Sequence, residues 1–380
     1  MDEFKDLFSH NLCLRCTGRI FADISSGLTN IDRGNSLRFA YESFYGPVKL
    51  EDSCRICNNV FNEFEKYYNI VNSSIKNYDY STFLIGSKFD PDILLEEARI
   101  QNMYGNHGES IKKEFNREFG KYFSSKTGKE FSKDPDILIE VNTIYDNVSL
   151  IIRSLYIYGT YIKKRRDIPQ TRWINGTGDT VESLIGMPIL NMAGGSDYKL
   201  HGSGREDVDV MMLGNGREFV LEIIKPLKRN ISLEELEHQV NNSGSNIFIS
   251  NLEYCNKEKI RKIKEAKYDK TYFACIESEQ GIDKNKLKAA ADFFKNRVIE
   301  QRTPQRVMGS RSDLIRKKEI KYISIEAIED KIARIKICSE SGTYIKELIN
   351  GDDGRTNPNL SSVYGSNLRV ASLDVINIER

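Results

Sequence analysis

The sequence predicts an α+β fold whose C-terminal half is built on a mainly antiparallel sheet. Three observations carry that reading. Strand-like and helix-like segments mix after residue 178 without a repeating β-α-β period. Two apolar runs, Met211–Leu213 and Phe219–Ile224, flank Gly214-Asn215-Gly216, which is the pattern of a β-hairpin. At 380 residues the chain is also long for one domain, so the antiparallel module shares it with others. The expected division is a cysteine region over 1–60, a small α+β region over 61–178, and the large α+β domain over 179–380.

Bulk composition narrows the class. The chain is 39% hydrophobic and 29% charged, with a mean hydropathy of −0.49. No apolar run approaches the roughly 18–20 residues that span a bilayer, so no membrane role is expected. Met1-Asp2-Glu3-Phe4-Lys5-Asp6 is acidic and lacks the apolar centre of a signal peptide, which points to the cytoplasm. A formal net charge of +1 does not announce a nucleic-acid binder; that role has to come from local clusters.

The first region carries Cys13-Leu14-Arg15-Cys16 and Cys54-Arg55-Ile56-Cys57. Two such knuckles can each give two thiolates to one ion, completing a tetrahedral Cys₄ zinc site. The competing reading is a disulfide framework, which a reducing cytoplasm disfavours. Four protein ligands leave no open position, so the zinc would hold a fold and do no chemistry. Cys255, Cys275 and Cys338 stand in or near apolar stretches and read as core filler.

In the second region, Asn58–Ile75 has Phe and Tyr at helical spacing and Ser81–Gly86 reads as a strand. Asp90-Pro91 supplies an N-cap and a first-turn proline for a helix to about Asn102. Lys112–Phe123 is a basic amphipathic helix, Lys126–Lys129 a turn, and Asp136–Val141 and Asn147–Ile152 short strands. The region closes on Lys163, Lys164, Arg165, Arg166 and Arg172, opposed by Asp167 and interleaved with Tyr161 and Trp173. Such a cluster suits phosphate neutralisation and stacking on an exposed base. The alternatives are a solvated face for the charges and a buried domain junction for Trp173.

In the third region, Gly204-Arg205-Glu206-Asp207-Val208-Asp209-Val210 stands at the mouth of the expected hairpin. Strand alternation puts Asp207 and Asp209 on one face, where they either decorate a solvated edge or face a substrate. Ser232 and Glu235 have the capping-box spacing that starts a helix to about Asn242. Ile247–Leu252 and Lys270–Glu277 read as strands around a basic helix at Lys257–Ala266, and Asp283 opens a helix to about Asn296. Lys321–Ala327, Ile332–Cys338 and Val370–Ile378 are late strands, with Gly342-Thr343-Tyr344-Ile345-Lys346 opening a helix before the last.

Gly204-Arg205-Glu206-Asp207 resembles the G-R-x-D motif around the catalytic aspartate of tRNA pseudouridine synthases. The longer run through Met212-Leu213-Gly214-Asn215-Gly216-Arg217 is similar to the archaeal-type family that modifies the TΨC arm of tRNA, the Pus-ten family. The zinc knuckles with Gly18-Arg19 and Asn30-Ile31-Asp32-Arg33-Gly34, and a middle region that resembles a THUMP domain, agree with it. The resemblance implies an isomerase that turns uridine 54, uridine 55 or both into pseudouridine. It implies Asp207 as the essential carboxylate, with Asp209 as runner-up, and Lys346 as the cation that pairs with it. Tyr272 would pack on the target base, Tyr344 and Ile345 would line the uracil pocket, and Arg205 would flank the flipped nucleotide. The partner is tRNA, with Lys163, Lys164, Arg165, Arg166 and Arg172 as its contacts. No catalytic metal or nucleotide cofactor is implied, and a monomer is expected. Thr160 departs from the family's Gly-Arg-Tyr at the THUMP-like end, and Ile224-Lys225-Pro226 from its Lys/Val-Asn-Pro. A second Gly-Thr-Tyr-Ile-Lys at Gly159–Lys163 is expected to have no catalytic part. The rival reading is a metal-dependent nucleotidyltransferase with Gly195-Ser196, Asp207, Asp209 and Glu222 around two metals. It leaves Tyr272 and Gly342–Lys346 without a role.

Overall fold

A computed structural model describes residues 2–24, 26–172, 177–309 and 311–380. Contacts divide the chain into two compact units, Met1–Arg153 with Leu227–Arg229, and Ser154–Pro226 with Asn230–Arg380. The border therefore falls before Ser154 and not near Gly178. Leu155–Lys163 belongs to the second unit's sheet and is largely buried. Its run of Tyr and Ile lacks polar alternation because both faces are covered. No helix among the described residues is long and apolar enough to cross a membrane.

The first unit folds around one apolar cluster that runs from Leu7 and Cys16 through Phe83 and Phe119 to Val141. The cysteine region and the α+β region after it thus share a core. Its sheet is β1 (Thr82–Lys88), β2 (Glu130–Phe131), β3 (Ile137–Asn142) and β4 (Asn147–Ile152), in the order β2-β1-β3-β4. β1 runs parallel to β2 and β3, and β3 antiparallel to β4. The expected helices form as Phe64–Ile75, Pro91–Met103 and Ile111–Thr127. Asp90 caps the second by accepting from Asp92 N at 2.9 Å.

The first knuckle runs into the helix Leu14–Arg19, and Asn30–Tyr45 is a second helix before the other knuckle. They touch backbone to backbone at Gly18 and Gly34. A Cβ on Gly18 would sit 1.9 Å from Asn30 O, and one on Gly34 1.8 Å from Leu14 O. Arg19 is buried between Glu97 at 2.9 Å and Glu114 at 3.1 Å, which balances its charge.

The second unit adds β5 (Leu155–Lys163), β6 (Asp197–Gly202), β7 (Met211–Ile224), β8 (Ile247–Cys255), β9 (Lys270–Glu277), β10 (Arg297–Arg302), β11 (Ile315–Glu329), β12 (Ile332–Ser339), β13 (Thr356–Asn357) and β14 (Arg369–Ile378). Their order is β13-β10-β11-β12-β9-β14-β7-β5-β8, with β6 beside β7. Among this unit's described pairings only β7 with β14 is parallel. The mainly antiparallel sheet is as expected. The helices Leu233–Asn241, Glu258–Glu265 and Lys284–Phe293 form close to their expected places, while Val181–Ala193, which contains Pro188, was not expected from sequence.

The expected hairpin is absent. Met211–Ile224 is one strand, and Gly214-Asn215-Gly216 is a wide bulge within it. Tyr161 pairs with Arg217 but Lys163 with Met212, so the residues between are extruded. Gly214 has φ +63 and lies so close to β14 that a Cβ would meet Ile376 O at 1.9 Å. Asn215 locks the bulge down, donating to Ile378 O at 2.6 Å and accepting from Ile378 N at 3.1 Å. A Gly-Asn-Gly run signals a turn or a close backbone approach equally well. Here it is the second.

Candidate active site

The stretch from Gly204 to Val210 is a loop that leads into β7. The strand alternation expected for Asp207 and Asp209 does not apply. Val210 N donates to Asp207 O at 3.1 Å, closing a turn, and Val210 and Glu206 point inward while the two aspartates point out. They still converge, because both reach Lys346.

What fixes the loop comes largely from the basic segment. Lys163, at the end of β5, is fully buried, and its Nζ donates to Ile168 O at 3.0 Å and to Asp207 O and Val208 O at 3.3 Å. Arg166 donates to Asp209 O at 2.6 Å and reaches Asp374 at 2.8 Å, and Asp374 accepts from Met211 N at 3.1 Å. These two cations brace the loop from behind: Lys163 is sealed from water with its ammonium spent on three carbonyls, which corrects the expectation that it contacts RNA, and Arg166 is half-buried and turned to the loop and Asp374. The copy of Gly-Thr-Tyr-Ile-Lys at Gly159–Lys163 is thus a strand that supports the loop. Lys164 is exposed over the Phe248 ring at 4.9 Å. Arg165 faces Asp179 at 3.6 Å, and Arg172 pairs with Asp197 at 2.6 Å and packs over Tyr198. Trp173 lies outside the described residues.

Beneath the loop is a buried polar group. Glu206 accepts from the Tyr161 hydroxyl at 2.8 Å on both oxygens and lies 2.9 Å from Arg217 Nε, an ion pair sealed from water. Gln170 Nε2 donates to the Tyr161 hydroxyl at 2.7 Å and to Gly204 O at 3.0 Å. A buried pair of this kind costs desolvation, offset here by the bonds that Glu206 accepts from Tyr161 and that Arg217 gives to Ser203 O.

The opposite wall begins at Gly342, whose φ of +76 turns the chain into the short helix Ile345–Asn350. Buried Gln301 on β10 grips the backbone of Tyr344, donating to its O and accepting from its N, both at 2.9 Å. The helix start then projects Lys346 at the aspartates. Lys346 Nζ is 2.9 Å from both Asp209 oxygens and 3.4 Å from Asp207 Oδ2. The expectation paired Lys346 with Asp207 first, and the ammonium leans toward Asp209. Asp207 is held more closely by Arg306, whose Nη1 is 2.9 Å from its carboxylate and whose Nε is 2.6 Å from Glu347. Arg306 and Glu347 were not anticipated. Nothing in Thr303-Pro304-Gln305-Arg306 sets this arginine apart from the chain's many others, and only the fold brings it here.

Asp207, Tyr272, Tyr344, Ile345, Lys346 and Arg205 line one cavity of about 280 Å³. Arg205 is exposed, Ile345 buried, and Tyr272 half-buried. Burial pushes the Tyr272 phenol up to about 12. Burial alone would raise the Asp209 carboxyl, but the Lys346 ammonium holds it below the usual carboxylate range. Glu222 is on β7 and is engaged by His201 at 3.0 Å and Tyr156 at 3.2 Å. The three carboxylates of the nucleotidyltransferase reading are not brought together.

Among the described residues, the cluster with metal-binding geometry is Cys13, Cys16, Cys54 and Cys57, whose sulfurs all lie within 4.8 Å of one another. Cys13 Sγ and Cys57 Sγ are 3.7 Å apart, close to the ~3.8 Å edge of a tetrahedron with ~2.3 Å metal–sulfur bonds and far from the ~2.05 Å of a disulfide. Its donor set could hold a metal ion.

Comparison with known proteins follows the two units. The family model described as Pus10 THUMP domain, archaeal, matches residues 67–142, and that described as Pus10, C-terminal, matches 156–379. The tRNA pseudouridine synthase Pus10 of Picrophilus torridus is 55% identical over 100% of this chain and 99% of its own. That of Thermoplasma acidophilum is 48% identical, also over 100% of this chain and 99% of its own. Among solved structures, a Cbf5-Nop10-Gar1 complex matches at a TM-score of 0.34 and 15% identity, covering 58% of this chain and 48% of that one. With one family model spanning most of the second unit and relatives matched from end to end, the chain belongs to the Pus10 family of tRNA pseudouridine synthases.

Proposed function

We propose that this protein isomerises uridine to pseudouridine in the TΨC arm of tRNA, at uridine 54, uridine 55 or both, with Asp207 as the essential carboxylate. The observation that carries this reading is that Asp207, Tyr272 and Lys346, far apart in sequence, line one cavity. In the reaction the N1–C1′ bond breaks and its electron pair leaves with the base. The base turns on Tyr272, C5 bonds to C1′, and the C5 proton is lost as N1 gains one. Asp207 acts at the sugar, by attack on C1′ or by removal of the C2′ proton, and both roles require its charged form. Lys346 and Arg306 stand within ion-pair distance of that carboxylate. Gln301, Lys163 and Arg166 hold the two walls in register, which is the preorganisation such a site needs.

The remaining assignments are of the same kind. Lys164, Arg165 and Arg172 are the members of the basic segment left to meet tRNA phosphates, and Arg205 flanks the flipped nucleotide. The Cys₄ cluster holds a structural zinc ion, and the protein works as a cytoplasmic monomer.

Incubation with an unmodified tRNA transcript, followed by mapping of pseudouridine, tests the function. Modification in the TΨC arm is expected. An unmodified arm, or pseudouridine confined to another arm, would refute the substrate assignment. A deuterium isotope effect at C2′ separates the two roles of Asp207, since only proton removal breaks that bond.

A further inference from the structure

Lys270 opens β9 and lines the candidate cavity two residues before Tyr272, so both side chains leave the strand on the same face. Its surroundings are cationic. Arg217 stands beside it behind Gly204. A Cβ on Gly204 would lie 2.8 Å from Arg217 Nη1 and 3.2 Å from Lys270 Nζ. The nearby anions are already engaged, with Glu206 held by Arg217 and Tyr161, and Asp207 by Arg306 and Lys346. Among the described residues Lys270 Nζ has neither a hydrogen-bond acceptor nor a contact counter-ion.

The other cavity cations differ from it. Arg205, Lys264 and Arg311 are exposed to water, whereas Lys270 is half-buried. Burial, with repulsion from Arg217 added, pushes its ammonium down to about 8, against which Glu206 pulls weakly upward. A cation withdrawn from water without a contact partner costs stability, and among the described residues only the weak pull of Glu206 offsets it. An electron-rich ligand in the cavity would offset it further.

We propose that Lys270 is a further substrate-binding group, whose ammonium donates to a carbonyl oxygen of the turned-out pyrimidine and faces the negative charge that the base takes up when the N1–C1′ bond breaks. The proposal rests on the reading of this cavity as the uridine-isomerising site. The electron pair of the broken bond spreads over N1 and the base carbonyls, and Lys270 stays protonated throughout. It stabilises charge that develops in the reaction, so its effect falls on the chemical step.

The test uses the full chain and an unmodified tRNA transcript under single-turnover conditions, with Lys270→Met, Lys270→Gln, Lys270→Arg and Asp207→Ala. Removing one preorganised donor to a developing anion typically slows the step about 10²–10³-fold. That loss is expected in Lys270→Met and Lys270→Gln, with tRNA affinity within twofold of wild type and a melting temperature no lower. Lys270→Arg, which keeps the charge, recovers at least a tenth of the rate. A rate within threefold of wild type in Lys270→Met, beside an inactive Asp207→Ala, overturns the Lys270 proposal alone. Weakened binding whose log K against log salt loses about one unit of slope makes Lys270 a phosphate contact and also overturns it. So does a lowered melting temperature in both neutral variants, which would make it structural. Full activity in Asp207→Ala overturns the cavity reading and this proposal with it.

Discussion

Glu206→Ala is the most exacting perturbation of the ground beneath the candidate site. The Glu206 side chain has 0% of its surface exposed and Arg217 has 2%, so water cannot replace what is removed. The variant leaves Arg217 buried with Ser203 O at 3.2 Å as its remaining acceptor, and leaves the Tyr161 hydroxyl without its carboxylate. Breaking a buried pair from one side costs about 3–5 kcal/mol, because the surviving charge stays desolvated. For a unit of this size about 1 kcal/mol shifts the melting temperature by about 2–4 °C, so the second unit's transition should fall by about 6–20 °C. Differential scanning calorimetry measures it. Adding Arg217→Met should recover most of the loss, since the double variant no longer carries an unpaired charge. A single variant that loses less than about 1 kcal/mol, or a double variant less stable than the single, would refute the electrostatic account of this layer.

Other perturbations probe other links. Lys346→Met should slow single-turnover modification about 100-fold. It should also move the Asp209 titration up toward the ordinary value near ~3.9, followed by carboxyl NMR. The sign follows from a folded-state value held low: the stabilisation from the Lys346–Asp209 pairing is complete above the ordinary carboxylate range and is lost as pH falls through the lowered value. An unmoved Asp209 would show that the ammonium spends its time elsewhere. Gly214→Ala should cost about 2–5 kcal/mol, since the new Cβ meets the β14 backbone at a positive φ. A neutral effect in chemical denaturation would mean that the bulge is not fixed as described. Metal analysis should return one zinc per chain, and chelation should abolish the first unit's cooperative transition. A full transition after complete zinc removal would make the Cys₄ cluster dispensable.

The legible parts of this chain were those governed by local rules. Asp90-Pro91 announced a helix start because capping is settled within a few residues. The paired C-x-x-C motifs brought four sulfurs together because metal geometry constrains spacing. Asp207, Tyr272 and Lys346 were picked out by family resemblance, and composition alone would have left them among many charged and aromatic residues. What stayed hidden depended on tertiary neighbours. Gly214-Asn215-Gly216 could not reveal a bulge without β14 pressed against it. Lys163 looked like an RNA contact because a charge cluster says nothing about which side chain turns inward. Arg306 and Lys270 carry no local signal, and their significance comes from what surrounds them in the fold.

The central claim is that Asp207 does the work at the sugar while Asp209 anchors Lys346. It is tested most directly by single-turnover modification of one tRNA transcript by Asp207→Asn and Asp209→Asn, with tRNA affinity measured in parallel. The account predicts no detectable pseudouridine from Asp207→Asn at wild-type affinity, and a reduced but measurable rate from Asp209→Asn. Full activity in Asp207→Asn, or abolition by Asp209→Asn alone, would contradict it.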